Sequence, residues 1–470
     1  MHRRCRLLIL LVAPVLASGQ SEDRIRAVEN GLTSAVTVRG RLAPKHSIEA
    51  RMKALNVNGV SVAVIRNYEI EWAKGYGVAD VETGRRVTPD TLFLAGSISK
   101  PVAAAGALTL VQQGKLKLDD DVNTYLKKWR VAENEFTREQ KVTLRRLLSH
   151  TAGLTVHGFP GYNSASAAPT VPQILDGVKP ANTPPVRVDV TPGSMFRYSG
   201  GGYTVAQLLM TDVTGLPFPE FMRRAVLAKT GMRQSTFENP LPQRLSGVAA
   251  SGYKEDGDPV PGRYHTYPEM AAAGLWTTAS DLARFVIEIQ KGREGRSDRM
   301  LRQATIEQML RPEKQNYALG FGIGKQNGVI EFSHGGTDAG FQARLSATVD
   351  GRGLVVMTNS QNGARLAAEI GLAVAAAYGW PGGPKEREAI SLTPEALSKF
   401  AGEYEAPRIG RVKIRVEGDH LVFTGASSGD VALYPESADT FFSSGGIPDL
   451  KFAADASSFT GGNVTAKRVR

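Results

Sequence analysis

The sequence predicts an α+β domain followed by a small all-β module, and two observations support this. β-rich segments lie early in the chain, at Val60–Arg66 and Glu69–Ala79, and again between Ala318 and Asn359, with helical patterns between them. An antiparallel sheet built from both ends of such a region is an α+β arrangement. After Leu392 apolar and polar residues alternate in short runs, which is typical of strands in a small β module.

The first residues have the composition of a secretory signal peptide. Arginines precede an apolar run from Leu7 to Ala17, and small residues follow. The run is too short to cross a bilayer, which favours a cleaved signal. We therefore expect residues 1–19 to be a signal peptide, 20–385 the α+β domain, 386–391 a linker and 392–470 the β module. Such a protein would be exported, either to the periplasm or out of the cell.

Composition argues against several classes of protein. The 57 Lys and Arg residues against 46 Asp and Glu give a net charge of +11, but no basic stripe with interleaved aromatics appears, so nucleic acid is not an expected partner. The single cysteine, Cys5, lies in the expected signal. No His, Asp and Glu residues have zinc-like spacing, so we expect no metal and no other cofactor. No transmembrane segment is expected in the mature chain.

A serine and a lysine one helical turn apart are the strongest candidates for chemistry. Ser97-Ile-Ser-Lys100 precedes a proline and an alanine-rich helical stretch that ends near Gly114. A serine hydroxyl needs a neighbour to take its proton, and an amine without its own proton can do so. N–H groups at a helix start can also face an oxyanion. Ser251–Lys254 has the same spacing, but turn residues follow it.

Two glycine-rich segments carry further candidates. Tyr198 precedes the run Gly200–Gly202, and a phenol near a lysine can share its proton. Ser333–Gly340 contains a His-Gly-Gly sequence at the end of a strand pattern, where glycines would let a strand edge approach a substrate. Three other histidines are weaker candidates: His150 for a structural hydrogen bond, and His157 and His265 for loops lining a cleft.

Together these motifs resemble the serine hydrolases that include class C β-lactamases, penicillin-binding DD-peptidases, D-amino-acid peptidases and related esterases. The resemblance covers residues 58–378 and also includes Leu147–Leu154 and Gly274–Leu282. It implies a β-lactamase/transpeptidase-like fold, in which helices flank an antiparallel sheet and a helical region is added. The segment after Leu392 resembles the lipocalin-like β module often attached to this family.

The resemblance implies catalytic roles for three residues. Ser97 resembles the nucleophile, Lys100 its amine partner, and Tyr198 the proton shuttle of the family's Tyr-x-Asn element. The backbone N–H of the nucleophile, together with that of Thr337, would form the oxyanion hole.

The resemblance also implies substrate-binding residues, with two departures from the family pattern. His334-Gly335-Gly336 resembles the family's Lys-Thr-Gly strand in its His-x-Gly form, so a lysine cation for a substrate carboxylate is missing. Gly200 stands where the Tyr-x-Asn element has asparagine. Histidine is mostly neutral at neutral pH and gains charge near pH ~6, so we expect β-lactam activity to be weak and to rise towards that pH.

The sequence therefore predicts an exported serine hydrolase that forms an acyl-enzyme on Ser97. Its expected substrates are small esters, D-aminoacyl compounds and, weakly, β-lactams, with peptidoglycan fragments as further candidates. Three alternatives stay open at this point. One is a penicillin-binding protein or receptor that is acylated but turns over slowly, the second is a class C-type β-lactamase, and the third is a non-catalytic scaffold.

Overall fold

The computed structural model describes residues 13–163, 168–407, 409–425 and 429–469. Backbone contacts divide the chain into a unit of residues 49–367 and a second unit that joins the residues up to Ile48 with Ala368–Arg470. The domain boundaries predicted from the sequence, 20–385 and 392–470, remain a prediction. Residues 1–12 of the expected signal peptide lie outside the described residues. Among the described helices, none combines the length and apolar character needed to cross a membrane.

The helices and strands follow one another in a mixed order. The helices are α1 (Ala13–Glu29), α2 (Ile48–Ala54), α3 (Ser99–Gln112), α4 (Leu144–Leu148), α5 (Val171–Asp176), α6 (Gly200–Thr214), α7 (Phe218–Met222), α8 (Ala228–Thr230), α9 (Met270–Ala273), α10 (Ala279–Arg293), α11 (Gln303–Leu310), α12 (Gly363–Tyr378) and α13 (Pro394–Ser398). The strands are β1 (Val36–Val38), β2 (Gly59–Arg66), β3 (Glu69–Asp80), β4 (Arg85–Arg86), β5 (Phe93–Leu94), β6 (Tyr162–Asn163), β7 (His265–Thr266), β8 (Trp276–Thr277), β9 (Gly322–Gln326), β10 (Val329–Asp338), β11 (Phe341–Thr348), β12 (Gly353–Thr358), β13 (Lys385–Arg387), β14 (Gly402–Ala406), β15 (Gly410–Glu417), β16 (His420–Gly425), β17 (Gly429–Pro435), β18 (Thr440–Ser443), β19 (Leu450–Phe452), β20 (Ser458–Gly461) and β21 (Val464–Arg468).

The first unit contains an antiparallel sheet in the order β4-β3-β2-β12-β11-β10-β9. The early strand β2 pairs with the late strand β12, with Val62 opposite Val356. The expected sheet assembled from both ends of the region is therefore confirmed. Both central strands are buried over almost their whole length, and their near-continuous apolar sequences suit burial on both faces.

Helix α3 lies in the core of the first unit. Every residue from Ser99 to Leu110 is buried. A helix that is apolar all round belongs inside a domain, and its small side chains allow close approach: a Cβ on Gly106 would lie 2.5 Å from the sulfur of Met222. The buried helix gives the residues at its N-terminal end a fixed place.

The second unit contains a closed barrel of strands β14 to β21. Strand β14 closes it against β21, with Tyr404 opposite Arg468. Aliphatic and aromatic residues fill its core, and the buried Tyr404 hydroxyl donates to the Phe400 carbonyl at 2.9 Å. The expected all-β module is confirmed, with a hydrophobic core of its own. In the same unit β1 pairs in parallel with β13.

Candidate active site

Ser97 and Lys100 form a direct contact at the start of α3. Ser97 lies in a 3₁₀ turn, Gly96–Ile98, that leads into the helix. The Lys100 Nζ donates to Ser97 Oγ at 2.8 Å and to the Ala272 carbonyl at 2.8 Å. Lys100 is only 2% exposed, and a buried amino group needs such partners. The contact orients the amine towards the hydroxyl whose proton it would accept.

Strand β10 lies against this turn and presents alternate residues to it. A Cβ on Gly336 would lie 1.9 Å from the Ala95 carbonyl oxygen, and one on Gly96, which has a φ of +52°, would lie 2.5 Å from the Thr337 nitrogen. Glycine at both places allows the two backbones to approach. Side chains alternate along a strand, so His334 and Asp338 share the face of Gly336. The His-Gly-Gly segment lies in the second half of β10, which ends at Asp338.

Tyr198 lies between two histidine rings and over the lysine. Its ring centroid is 4.1 Å from that of His150 and 4.9 Å from that of His157. Lys100 Nζ lies 4.9 Å from the Tyr198 centroid, within the range of a cation–π contact. The Tyr198 ring therefore lies next to the Lys100 amino group. Catalytic hydrogen bonds are often completed only when substrate binds, so this arrangement suits a proton shuttle.

His150 fixes the backbone next to Tyr198. Its Nδ1 accepts a hydrogen bond from the Ser199 N–H at 3.0 Å, and the Ser199 hydroxyl in turn caps α6. Burial, and secondarily the charge of Lys100, hold the pKa of His150 well below its usual range. His150 occupies the structural hydrogen-bonding position expected from the sequence.

His334 is held neutral by its surroundings. Its Nε2 lies 3.0 Å from the Tyr317 hydroxyl. Burial and the nearby charge of Lys100 lower the pKa of His334 to about 3. The expectation that this residue gains charge near pH ~6 is therefore wrong, because an imidazolium would lose hydration and face a second cation.

A cavity of about 490 Å³ joins these groups. Its lining residues are Ser97, Lys100, His157, Gly158, Phe159, Tyr198, Ala272, Ala273, His334, Gly335, Thr337 and Asp338. Six of the predicted site residues are thus brought together. Gly336 is buried against Ala95 and does not line the cavity, and Thr337 lines it next to the Ser97 turn.

Gly200, the remaining predicted residue, lies outside the cavity wall. It is buried at the start of α6, and a Cβ there would lie 3.0 Å from the Phe159 ring and 3.1 Å from the His157 carbonyl oxygen. The space next to Tyr198 is therefore taken by residues of a different segment.

Sequence reasoning missed two groups at the site. Asp338 is buried, its Oδ2 has no hydrogen-bond partner among the described residues, and burial raises its pKa well above the usual range. The two-residue period of β10, counted from His334, could have placed it on the site face. The Ala272 carbonyl had no signal in the sequence, because it is a backbone group.

Comparison with known proteins decides the family. A family model described as beta-lactamase matches residues 45–378. The chain belongs to the beta-lactamase family. It is therefore a serine hydrolase related to beta-lactamases and esterases, as the sequence predicted.

The relatives of this chain are named for different activities. The chain is 27% identical over 359 residues to a putative penicillin-binding protein, PbpX, of Bacillus subtilis, covering 74% of this chain and 78% of the relative. It is 30% identical over 243 residues to a beta-lactamase of Pseudomonas fluorescens, covering 51% and 62%. It is 31% identical over 217 residues to the esterase EstB of Burkholderia gladioli, covering 44% and 52%. The match thus spans less than two thirds of the length of the last two relatives.

Solved structures show the same fold. An octameric penicillin-binding protein homologue from Pyrococcus abyssi has a TM-score of 0.63 at 20% identity, covering 89% of this chain and 98% of that one. The structure of SurE has a TM-score of 0.58 at 20% identity, covering 96% and 100%. The predicted β-lactamase/transpeptidase-like fold is confirmed.

The two neighbouring glycines of β10 provide a matched pair of variants. Gly336→Ala should lower kcat/KM for p-nitrophenyl acetate by on the order of 10²-fold, since its Cβ must push β10 away from the Ser97 turn. In Gly335→Ala the Cβ meets only the Ala343 carbonyl oxygen at 4.0 Å, so Tm should change little and kcat/KM should fall far less than in Gly336→Ala. Equal losses in both variants would contradict this account of the close approach.

The neutral state of His334 can be tested by pH. The ratio of nitrocefin to p-nitrophenyl acetate hydrolysis should stay constant from pH ~8 to pH ~5, because a pKa of about 3 keeps the imidazole uncharged there. His334→Lys, which supplies a cation for the nitrocefin carboxylate, should raise that ratio by roughly 10–100-fold. A wild-type ratio that rises below pH ~6 would show that His334 does gain charge.

Proposed function

We propose that this serine hydrolase cleaves small ester or D-aminoacyl amide bonds through an acyl-enzyme on Ser97. The contact of 2.8 Å between Lys100 Nζ and Ser97 Oγ, at a cavity that Tyr198 and Thr337 also line, carries the proposal. It pairs a nucleophile with its base in a place that a small acyl compound can enter.

The proposed reaction has two stages. Ser97 Oγ attacks the substrate carbonyl carbon while its proton passes to the unprotonated amine of Lys100. The N–H groups of Ser97 and Thr337 stabilise the oxyanion, and the leaving group departs with a proton supplied through Lys100 and Tyr198. Water then attacks the acyl carbon, gives its proton to the same groups, and Ser97 is released with the acid product.

The charges in the cavity favour uncharged acyl groups. Among the described lining residues Lys100 is the only lysine or arginine, and Ser97 and Ala272 already engage it. His334 is neutral, so no free cation is available for a substrate carboxylate. A relative named teichoic acid D-alanine hydrolase, from Staphylococcus aureus, is 24% identical over 251 residues, covering 53% of this chain and 58% of the relative. Its name and that of the esterase support this substrate class.

A second candidate function is that of a penicillin-binding protein that is acylated and turns over slowly. The match to the putative penicillin-binding protein of Bacillus subtilis over 74% of the chain favours it. Comparing the burst size with the steady-state rate separates the two, since a slow acyl-enzyme stops after one turnover.

We also propose export, which the basic and apolar first residues support. N-terminal sequencing of the protein from a periplasmic fraction tests it.

Labelling identifies the nucleophile. A fluorophosphonate probe should modify Ser97, and mass spectrometry should find no adduct after Ser97→Ala. Ser251→Ala is the matched control, because Ser251 has the same spacing to a lysine but is buried and bonded to Asp80 at 2.5 Å. It should label like the wild type. An adduct that persists in Ser97→Ala would overturn the assignment.

The base and the shuttle should act as one unit. Lys100→Ala and Tyr198→Phe should each slow acylation by about 10²–10⁴-fold, measured by stopped-flow with a chromogenic ester. The acylation rate of the double variant should be within roughly tenfold of that of the slower single variant, because both residues serve one proton path. If the double variant equals the product of the two single effects, the residues act independently.

A further inference from the structure

The two N–H groups proposed to stabilise the oxyanion belong to different segments of the chain. Ser97 lies in the turn before α3, and Thr337 lies near the end of β10. A Cβ on Gly96 would lie 2.5 Å from the Thr337 nitrogen, so the two backbones are in contact here. Both N–H groups must point to one oxygen position, which requires a fixed distance between the turn and the strand.

Each segment is held by its own neighbours. The Thr337 hydroxyl donates to Gln342 Oε1 on β11 at 2.9 Å. Behind the turn, the Ser99 hydroxyl donates to the Gly96 carbonyl at 2.6 Å and accepts from the Leu275 N–H at 3.0 Å. These bonds fix the strand and the turn separately, and they do not set the distance between the two.

Asp338 lies between the strand and the turn. It directly follows Thr337 and shares the face of β10 that Gly336 presents to the turn. Its carboxyl group faces the backbone N–H of Gly96, the residue before Ser97. Asp338 lines the cavity and is only 5% exposed. One buried side chain therefore connects the residue before the first oxyanion donor with the strand that carries the second.

The Asp338 carboxyl group is poorly placed to stabilise the fold. Its Oδ2 has no hydrogen-bond partner among the described residues, and burying a polar group without a partner is unfavourable. Asp80 shows the usual arrangement: it is 6% exposed and accepts hydrogen bonds from the Ser251 hydroxyl at 2.5 Å and the Thr83 N–H at 2.8 Å. A residue that costs stability at an active site is expected to serve the reaction.

The protonation state of Asp338 suits a place beside an oxyanion. Burial raises its pKa well above the usual range, although the charge of Lys100 acts in the opposite direction. A neutral carboxyl group can accept the Gly96 N–H through its carbonyl oxygen. It adds no negative charge next to the oxyanion, which a carboxylate would repel.

We propose that Asp338 is a positioning residue that sets the distance between the Ser97 and Thr337 N–H groups by holding Gly96 against the end of β10. It acts through these two donors and does not touch the reacting atoms. The inference rests on the proposed function and adds to it a side chain on which the acylation step depends.

Three measurements on Asp338→Ala test the inference. The acylation rate constant for p-nitrophenyl acetate, measured by stopped-flow, should fall by roughly 10–100-fold, and the dissociation constant of the ester should change by less than about threefold. The dissociation constant of phenylboronic acid, whose tetrahedral adduct on Ser97 places an oxygen in the oxyanion position, should rise by a factor similar to the loss in acylation rate. Tm should be no lower than that of the wild type, because a buried carboxyl group without a partner is removed.

Two further variants separate positioning from a role in the fold. Asp338→Asn keeps a carbonyl oxygen in the same place and should acylate within about threefold of the wild type. Asp80→Ala is the matched control, because it removes a carboxyl group that is equally buried but hydrogen-bonded outside the cavity. It should lower Tm and leave the acylation rate constant of the folded enzyme unchanged.

Two results would overturn the inference and leave the proposed function intact. One is an acylation rate constant of Asp338→Ala within about threefold of that of the wild type. The other is an equal loss in Asp338→Asn and Asp338→Ala. If Ser97 of the wild type is not acylated at all, the proposed function itself fails.

Discussion

The contact of the buried Lys100 amino group with the Ser97 hydroxyl and the Ala272 carbonyl is the interaction on which the rest of the site depends. An amine can be enclosed in a core only if its hydrogen bonds are satisfied there. Those partners come from a turn before α3 and from the short helix α9, so both must be held to within a fraction of an ångström. The complete burial of α3 and the glycine contacts between the Ser97 turn and β10 supply that rigidity.

Burial also determines the charges around this lysine. It keeps the pKa values of His150 and His334 low and that of Asp338 high, which favours the uncharged form of all three groups. The charge of Lys100 acts in the same direction on the histidines and against burial on Asp338, where burial is the larger effect. Glu269, just before α9, is fully buried and its pKa is raised to about 7 for the same reason.

Much of the fold could be predicted because its signals are local. Alternation of apolar residues identified the sheet strands and the barrel, and the alanine-rich stretch after Ser97 identified α3. The ends of the helices and strands were harder to predict. Strand β10 continues through Asp338 because it pairs with β11 as far as the hairpin, where Asp338 lies opposite Phe341. Ser97 and Lys100 could be paired from the sequence, since their separation fixes them on one side of a helix turn.

The sequence by itself determined which residues could react: a serine and a lysine at a helix start, a tyrosine before a glycine run, and a histidine on a glycine-rich strand. Only the tertiary structure decided their surroundings. Nothing local distinguishes His157 from His265, yet one lines the cavity and the other is bonded to Pro160. The neutrality of His334 and the filling of the Gly200 space by Phe159 likewise arise between segments far apart in the chain. Burial and contact depend on the packing of the whole domain, which spacing along the chain does not specify.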